Sequence, residues 1–485
     1  MSQDLSNQIA LIEKLVSFPT VSRDSNLELI QFIQQHLKSH DIEANILHSE
    51  CGQKANLLAT IGPNADGGVV LSGHTDVVPI DGQDWKTDPF SVNQNSGRLY
   101  GRGTSDMKSF CAIALSLIPE MKKLKKPIHL AFSYDEEVGC LGTPGLIKLI
   151  QENIRQPLGV IVGEPTGMNV VTAHKGITHF VTKVTGHEAH SSQQHRGVPA
   201  IMYAARIINW LAERQNINAL AEDKDSGFEP GYTTLHCGLI NGGTAANICS
   251  RECVFETDIR TIPGEAPQDY MDELTDYVKN QLEPSMQAVH PNTGIEISLM
   301  ANVPGFMAAE EEPIVQFVKQ VSGQNASEVA AFGAESGHFQ EAGFSVVMCG
   351  PGSIDQAHQP NEYIETSQVE AGTDFLRKVI AKHLDQVDWF GWPDVCLAAK
   401  ESKDPYLLPR LLRSRRGPQA DEMQFELLKN GHDISRTRML EYLHGRPISD
   451  SISDLLPLLV EDSNPLIAQA AGSLISDSKA LEGEI

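Results

Sequence analysis

Histidine and carboxylate side chains recur in one kind of place along this sequence, just past the end of a short apolar run. The run at 68–71 leads into Ser72-Gly73-His74-Thr75-Asp76-Val77-Val78-Pro79, and the run at 128–133 into Tyr134-Asp135-Glu136-Glu137-Val138-Gly139. The run at 158–162 leads into Gly163-Glu164-Pro165-Thr166, and that at 344–348 into Gly350-Pro351-Gly352 and then Ala357-His358-Gln359-Pro360. Asp106 stands just ahead of a helix predicted over 107–118. Imidazole nitrogens and carboxylate oxygens are ligands for hard and borderline divalent cations. Taken singly, each residue has an ordinary reading. His-x-Asp is common, Asp106 reads locally as a helix N-cap, and three acids in a row usually make a solvated loop. Their shared position is what points to a metal site.

Short apolar runs that end abruptly in Gly or polar residues read as buried strands opening into loops. Helices predicted over 8–17, 25–40 and 107–118 alternate with them, which implies an α/β fold with a largely parallel sheet. Ligand sites in such sheets lie outside the carboxyl ends of the strands, where these residues would collect. Two cations about 3.5–4 Å apart, bridged by one carboxylate, polarise a carbonyl and hold a hydroxide between them. The Glu136-Glu137 pair suits that division of labour, one carboxylate binding metal and its neighbour accepting the proton of water. A general base contributes roughly 10²–10⁴-fold.

From about 178 to 304 the texture changes. Strands are predicted at 179–186, 233–241, 248–260 and 295–301, with helices at 198–214 and 268–282. The order β-α-β-β-α-β is that of a ferredoxin-like α+β domain, here inserted into the first. Beyond 388, Trp389-Phe390-Gly391-Trp392-Pro393 interrupts the preceding helix. A leucine- and arginine-rich stretch at 406–416 and an apolar one at 454–473 follow, reading as short Pro-punctuated helices without chemistry. The expected organisation is therefore a catalytic domain at 1–177 and 305–388, an inserted domain at 178–304, and a helical C-terminal extension at 389–485.

A chain of 485 residues suits two or three domains. With 38 basic against 63 acidic side chains, the net charge of −25 opposes binding to nucleic acid and to anionic membranes. The 8 cysteines are scattered without a CxxC pair, so no disulfides are expected. No signal peptide opens the sequence, and no apolar stretch reaches the roughly 20 residues of a membrane span. A cytoplasmic protein is the expectation.

Together with Asp84-Trp85 to Asp88-Pro89-Phe90, Leu99-Tyr100-Gly101-Arg102-Gly103-Thr104-Ser105-Asp106-Met107-Lys108 and Ala173-His174-Lys175-Gly176, the motifs above make the sequence resemble the M20 metallopeptidase and deacylase family, and its acetylornithine deacetylase branch in particular, from about residue 6 to 388. The resemblance implies a zinc-peptidase-like catalytic domain with an inserted dimerisation or lid domain, and two divalent metal ions, zinc or cobalt. His74 and Glu164 would bind one ion, Glu137 and His358 the other, and Asp106 would bridge them. Asp76 would orient His74, Glu136 would be the general base, and the peptide after Asp106 would be cis. His190, in Gly186-His187-Glu188-Ala189-His190-Ser191-Ser192, would reach across a homodimer to the oxyanion; read alone it is a surface histidine. Asn247 and Arg260 would bind substrate, Arg260 clamping an α-carboxylate; read alone, Arg260 is a strand-end salt-bridge partner. The implied reaction removes the acyl group of a small N-acyl amino acid: N2-acetylornithine and water give ornithine and acetate, a step of arginine biosynthesis. Succinyl-diaminopimelate desuccinylation, a dipeptidase or a broad N-acyl amino acid amidohydrolase remain open, as does a non-catalytic scaffold. The chain departs from the family pattern by running on to residue 485.

Overall fold

A computed structural model describes residues 3–384 except 225, and 405–482 except 407, 410, 411, 413–417 and 444–449. Trp389 to Pro393, Cys396 and most of the stretch 406–416 lie outside the described residues. The larger sheet runs in the order Ala44–His48, Ala55–Ile61, Ile128–Ser133, Val69–His74, Gly159–Val162, Val346–Met348, Val171–His174, Phe306–Met307, with Glu328–Ala330 also paired to Val171–His174. Its four middle strands, from Ile128–Ser133 to Val346–Met348, are mutually parallel. Antiparallel pairs flank them. Every residue of those four strands is buried. Strands covered on both faces need apolar residues at successive positions, which is why they read as continuous runs rather than alternations.

Helices Gln3–Val16, Lys108–Ser116 and Thr366–Leu384 pack together beside the sheet, and at the surface Arg377 of the last donates to Asp4 of the first and to Glu120 in the turn Ile118–Met121 that follows the second. The predicted α/β class and the helix after Asp106 are present. Six short strands are not among those expected from the sequence: Val171–His174, Phe306–Met307 and Glu328–Ala330 at the end of the larger sheet, and Asn93–Asn95, Arg98–Tyr100 and Tyr363–Glu365, which form a small separate sheet. Strands this short carry too little periodicity to be seen.

A second sheet is wholly antiparallel, in the order Thr234–Gly242, Glu252–Arg260, Ile177–Thr185, Gly294–Val303. Counted along the chain that is 2-3-1-4, and helices Ala200–Leu220 and Pro267–Tyr277 complete the ferredoxin-like unit. Phe180, Val184, Phe255 and Ile259 alternate inward to meet Ala204, Ile207, Leu211 and Leu274 in a core of its own. The second helix runs on, through a π turn at Val278–Leu282, into Glu283–Gln287. Pro284, which has no N–H to give, sits at the start of that last piece. The C-terminal helices Pro418–Asn430, Asp433–Leu443, Asp450–Leu459 and Pro465–Glu482 enclose a third core of Leu428, Met439, Leu440, Leu456, Ile467 and others. No helix among the described residues is long and apolar enough to cross a membrane.

Burial pulls His129, His174, His338 and His383 down to about 4. Unfolded, each titrates near 6.5. Between those values the unfolded chain holds more protons, so the stability present above 6.5 is lost as the pH falls toward 4. Each costs about 2 kcal/mol by pH 5. His383→Leu should therefore flatten the loss of urea stability between pH 7 and pH 5 by about that amount; an unchanged pH dependence would show that His383 is not held neutral.

Candidate metal centre

Register places the ligand-bearing strand ends side by side. His74 lies opposite Ser133, Ser72 opposite Val162, and Val162 opposite Met348. The chain therefore leaves the sheet at Tyr134, Gly163 and Cys349 on the level of His74. Two of these exits need glycine. A Cβ on Gly163 would lie 2.2 Å from the Phe110 ring, and one on Gly350 would lie 2.1 Å from the Gly163 carbonyl oxygen. Asp106 arrives from the turn before Lys108–Ser116, and its peptide bond to Met107 is cis. The residue flanking that helix is Met107, with no side-chain cap, so Asp106 does not spend its carboxylate on the helix. His358 holds a left-handed backbone (φ 60°) that turns its ring back toward Asp106.

The two oxygens of Asp106 serve two histidines. Oδ1 is 2.9 Å from His74 Nε2, and Oδ2 is 3.3 Å from His358 Nε2. His358 Nε2 is also 2.9 Å from Glu137 Oε2. Two groups of ligand atoms follow, His74–Asp106–Glu164 and Asp106–Glu137–His358, each with all atoms within 4.8 Å of one another. His74, Asp106 and Glu164 are buried, whereas the His358 side chain is 51% exposed, so one side of the cluster is open.

Electrostatics shows what the cluster lacks. Burial lifts Glu136 to about 8 and Glu137 to about 7, with Asp106 adding repulsion to both. Burial and Asp106 hold Glu164 well above the usual carboxylate range. The two histidines are raised as well, which for an imidazole favours the charged form. For His74 the Asp106 and Asp76 carboxylates outweigh burial, and for His358 Asp106 and Glu137 raise it to about 11. Glu164 Oε1 is buried without a hydrogen-bond partner. Converging carboxylates, two imidazoles and an orphaned oxygen fit a pair of divalent cations, whose charge would restore the ionised carboxylates.

Asp76 contacts His74 Nδ1 through its main-chain carbonyl at 3.0 Å, its carboxylate standing off at 3.6 Å. That carboxylate instead accepts the backbone N–H groups of Glu136 and Glu137 and the Ser22 hydroxyl. Glu136 accepts from the Cys140 thiol at 3.3 Å. His190, Asn247 and Arg260 are not drawn into the cluster within this chain. The His190 ring bonds Ser192, the Asn247 carbonyl accepts from the Ser191 N–H, and Arg260 Nε donates to Asp258 at 2.8 Å.

Several supporting residues were not assigned from sequence. The fully buried Glu335 carboxylate accepts from Ser72, Ser133 and Thr143, joining the strands that end in His74 and lead to Glu136. Lys54 donates to Asp135 and to the Ser22 carbonyl. Glu362 accepts from Arg102 and from three backbone N–H groups ahead of Met107. Arg102 lies inside the motif from Leu99 to Lys108 and Glu362 two residues past Pro360, but their partnership spans 260 residues and leaves no local signal.

Comparison with known proteins shows the family. The chain matches the family described as "Peptidase family M20/M25/M40" over residues 70–382. It is 33% identical over 389 residues to the acetylornithine deacetylase of Myxococcus xanthus, covering 79% of this chain and 98% of that protein. The acetylornithine deacetylase of Pasteurella multocida is 31% identical, covering 77% and 97%. Among solved structures, an M20 family metallo-carboxypeptidase from Sulfolobus solfataricus shares the fold with a TM-score of 0.63 at 19% identity, covering 79% of this chain and 100% of that one. A dipeptidase from Saccharomyces cerevisiae gives 0.61 at 16% identity, covering 79% and 97%. With the family match and relatives above 30% identity along nearly their whole length, the chain belongs to peptidase family M20/M25/M40 and is a hydrolase acting on amides.

Proposed function

We propose that this hydrolase removes the acetyl group of N2-acetylornithine, giving ornithine and acetate, with two divalent cations that are zinc or cobalt. The observation that carries the reading is one carboxylate, Asp106, shared between two ligand groups, with Glu136 beside them. The acetylornithine deacetylases similar along most of the chain direct it to this substrate. His74, Asp106 and Glu164 would hold one ion, and Asp106, Glu137 and His358 the other. Bound there, two such ions polarise the amide carbonyl and make water acidic enough to attack at neutral pH. Glu136 takes the proton of the attacking water and returns it to the leaving nitrogen. Asp76 orients His74 through its main-chain carbonyl. Its carboxylate fixes Glu136 by gripping the peptide N–H rather than the side chain, which leaves the Glu136 carboxylate, with only the Cys140 thiol on Oε1, to serve proton transfer.

The reading divides the chain into a catalytic unit at 1–177 and 305–388, the inserted unit at 178–304 and an extension at 389–485. In it the inserted unit mediates a homodimer, through which His190 of the partner subunit stabilises the oxyanion, while Arg260 and Asn247 hold the amino-acid end of the substrate. The free state of all seven described cysteines accords with a reducing cytoplasm, where arginine is made.

Amine release is the direct test, with the zinc- or cobalt-loaded protein offered N2-acetylornithine, succinyl-diaminopimelate and a dipeptide. Acetylornithine should be preferred, and a chelator should abolish turnover until metal is returned. Full activity in demetallated protein would end the two-metal reading, whereas preference for another substrate would keep the site and change the reaction. Glu136→Ala should lower kcat by roughly 10²–10⁴-fold with little change in KM. Mixing inactive Glu136→Ala with inactive His190→Ala subunits should recover activity, because a mixed dimer rebuilds one intact site. No recovery after subunit exchange would place His190 outside the reaction.

A further inference from the structure

The candidate metal positions depend on two loops far apart in the chain, one carrying Asp106 and the other His358. Ser105 bonds the Ser353 main chain and Arg102 the Gln359 carbonyl, but the largest set of bonds between the two loops falls on one buried side chain. Glu362 is 1% exposed, and its two oxygens take four donors. Oε1 accepts the N–H groups of Ser105 at 2.8 Å and Asp106 at 3.1 Å. Oε2 accepts the Gly103 N–H at 3.0 Å and Arg102 Nη1 at 2.7 Å. Successive backbone N–H groups converging in this way form a concave anion site, here filled by the chain's own carboxylate. Arg102 extends the link. Its Nη2 donates to Gln83 Oε1 at 2.5 Å, and Gln83 Nε2 donates to the His358 main-chain carbonyl at 2.9 Å. Trp85 Nε1 also donates to Gln83 Oε1, at 3.0 Å, fixing the amide's orientation.

We propose that Glu362 is a positioning residue that sets the Asp106 carboxylate against the His358 ring, and so determines whether the second of the two cations is held. The inference rests on the two-metal reading of the site. Glu362 itself touches no candidate ligand side chain; it acts through the Asp106 N–H on one side and through Arg102 and Gln83 on the other. A side chain that fixes a ligand's orientation is commonly worth about 10–100-fold in metal affinity. Loss of this one should fall unevenly, because His74 is held separately by the Asp76 carbonyl and the sheet. The group containing His358 and Glu137 should suffer most.

The test is a cobalt titration of the metal-free protein, followed by its visible spectrum, with bound metal counted by elemental analysis. Wild type should bind two ions. Glu362→Gln keeps the shape but turns an amide toward N–H donors, and it should retain one ion while weakening the other about 10–100-fold. Gln83→Ala, at a half-buried position, removes the bond to the His358 carbonyl together with the amide oxygen that accepts from Arg102 and Trp85, leaves the Glu362 bonds in place, and should weaken the same ion to a smaller degree. In both variants kcat should fall with KM little changed, and Glu362→Asp should restore part of the loss. Should Glu362→Gln fail to fold, Gln83→Ala decides. Two ions held at wild-type affinity in the folded variants would overturn the proposal. A wild type that binds fewer than two would instead sink the reading on which it rests.

Discussion

Four carboxylates, of Asp106, Glu136, Glu137 and Glu164, are gathered at one point of a sheet edge with two imidazoles opposite them. Taking a charge out of water is costly unless it is paired, and like charges crowded together add to that cost. The consequences differ from residue to residue. Asp106, flanked by both histidines, is held below the usual carboxylate range despite its burial. Glu136, Glu137 and Glu164 lack such flanking and are pushed up. A protein that keeps this cluster buried must either leave protons on it or supply positive charge from outside. The donor types favour the second solution, and the open flank beside His358 gives ions and substrate a way in.

The surrounding scaffold makes such a cluster tolerable. Parallel strands in register bring the ligands to one level, and the glycines at 163 and 350 let the exits crowd over Phe110 and each other. Behind the ligands lies a second set of carboxylates, Asp76, Glu335 and Glu362, each filled by hydrogen-bond donors. Those donors are mostly backbone N–H groups and hydroxyls, which fix geometry without adding a mobile cation. The division is physical. Carboxylates filled by backbone N–H groups and hydroxyls hold the framework, and those that face imidazoles, one another or, at Glu164 Oε1, no donor form the site.

Much of this was legible in the sequence, for identifiable reasons. Strands buried on both faces appear as apolar runs, and their ends are marked where glycine or polar residues begin, so the edge carrying His74, Glu137 and Glu164 could be read directly. The ferredoxin-like order was equally visible, because half-buried strands such as Glu252–Arg260 alternate. Asp106 was ambiguous, since a carboxylate ahead of a helix looks the same whether it caps the helix or faces away. Only the placement of His74 and His358 on either side of it decides the matter. Glu335 and Glu362 were illegible in their roles, as their partners lie about two hundred or more positions away and no periodicity links them. Asp76 illustrates a subtler limit: its contact with His74 runs chiefly through a main-chain oxygen, which residue type does not encode.

The two remaining bodies relate differently to the chemistry. The C-terminal helices close a core of their own, and nearly the whole length of the similar deacetylases is matched by about four-fifths of this chain. The proposed ligands, from His74 to His358, all precede those helices. The inserted sheet is another matter. Gly139, at φ 108° in the loop just after Glu136 and Glu137, sits so close to Ala301 of that sheet that a Cβ would come within 2.3 Å of the alanine's own. Ala301 lies where the pairing of Gly294–Val303 with Ile177–Thr185 shifts register, a local irregularity that re-aims the strand. The loop bearing the proposed base thus rests directly on the unit bearing Arg260 and His190. A displacement of one would be felt by the other through a contact in which only the Ala301 methyl stands between the two backbones.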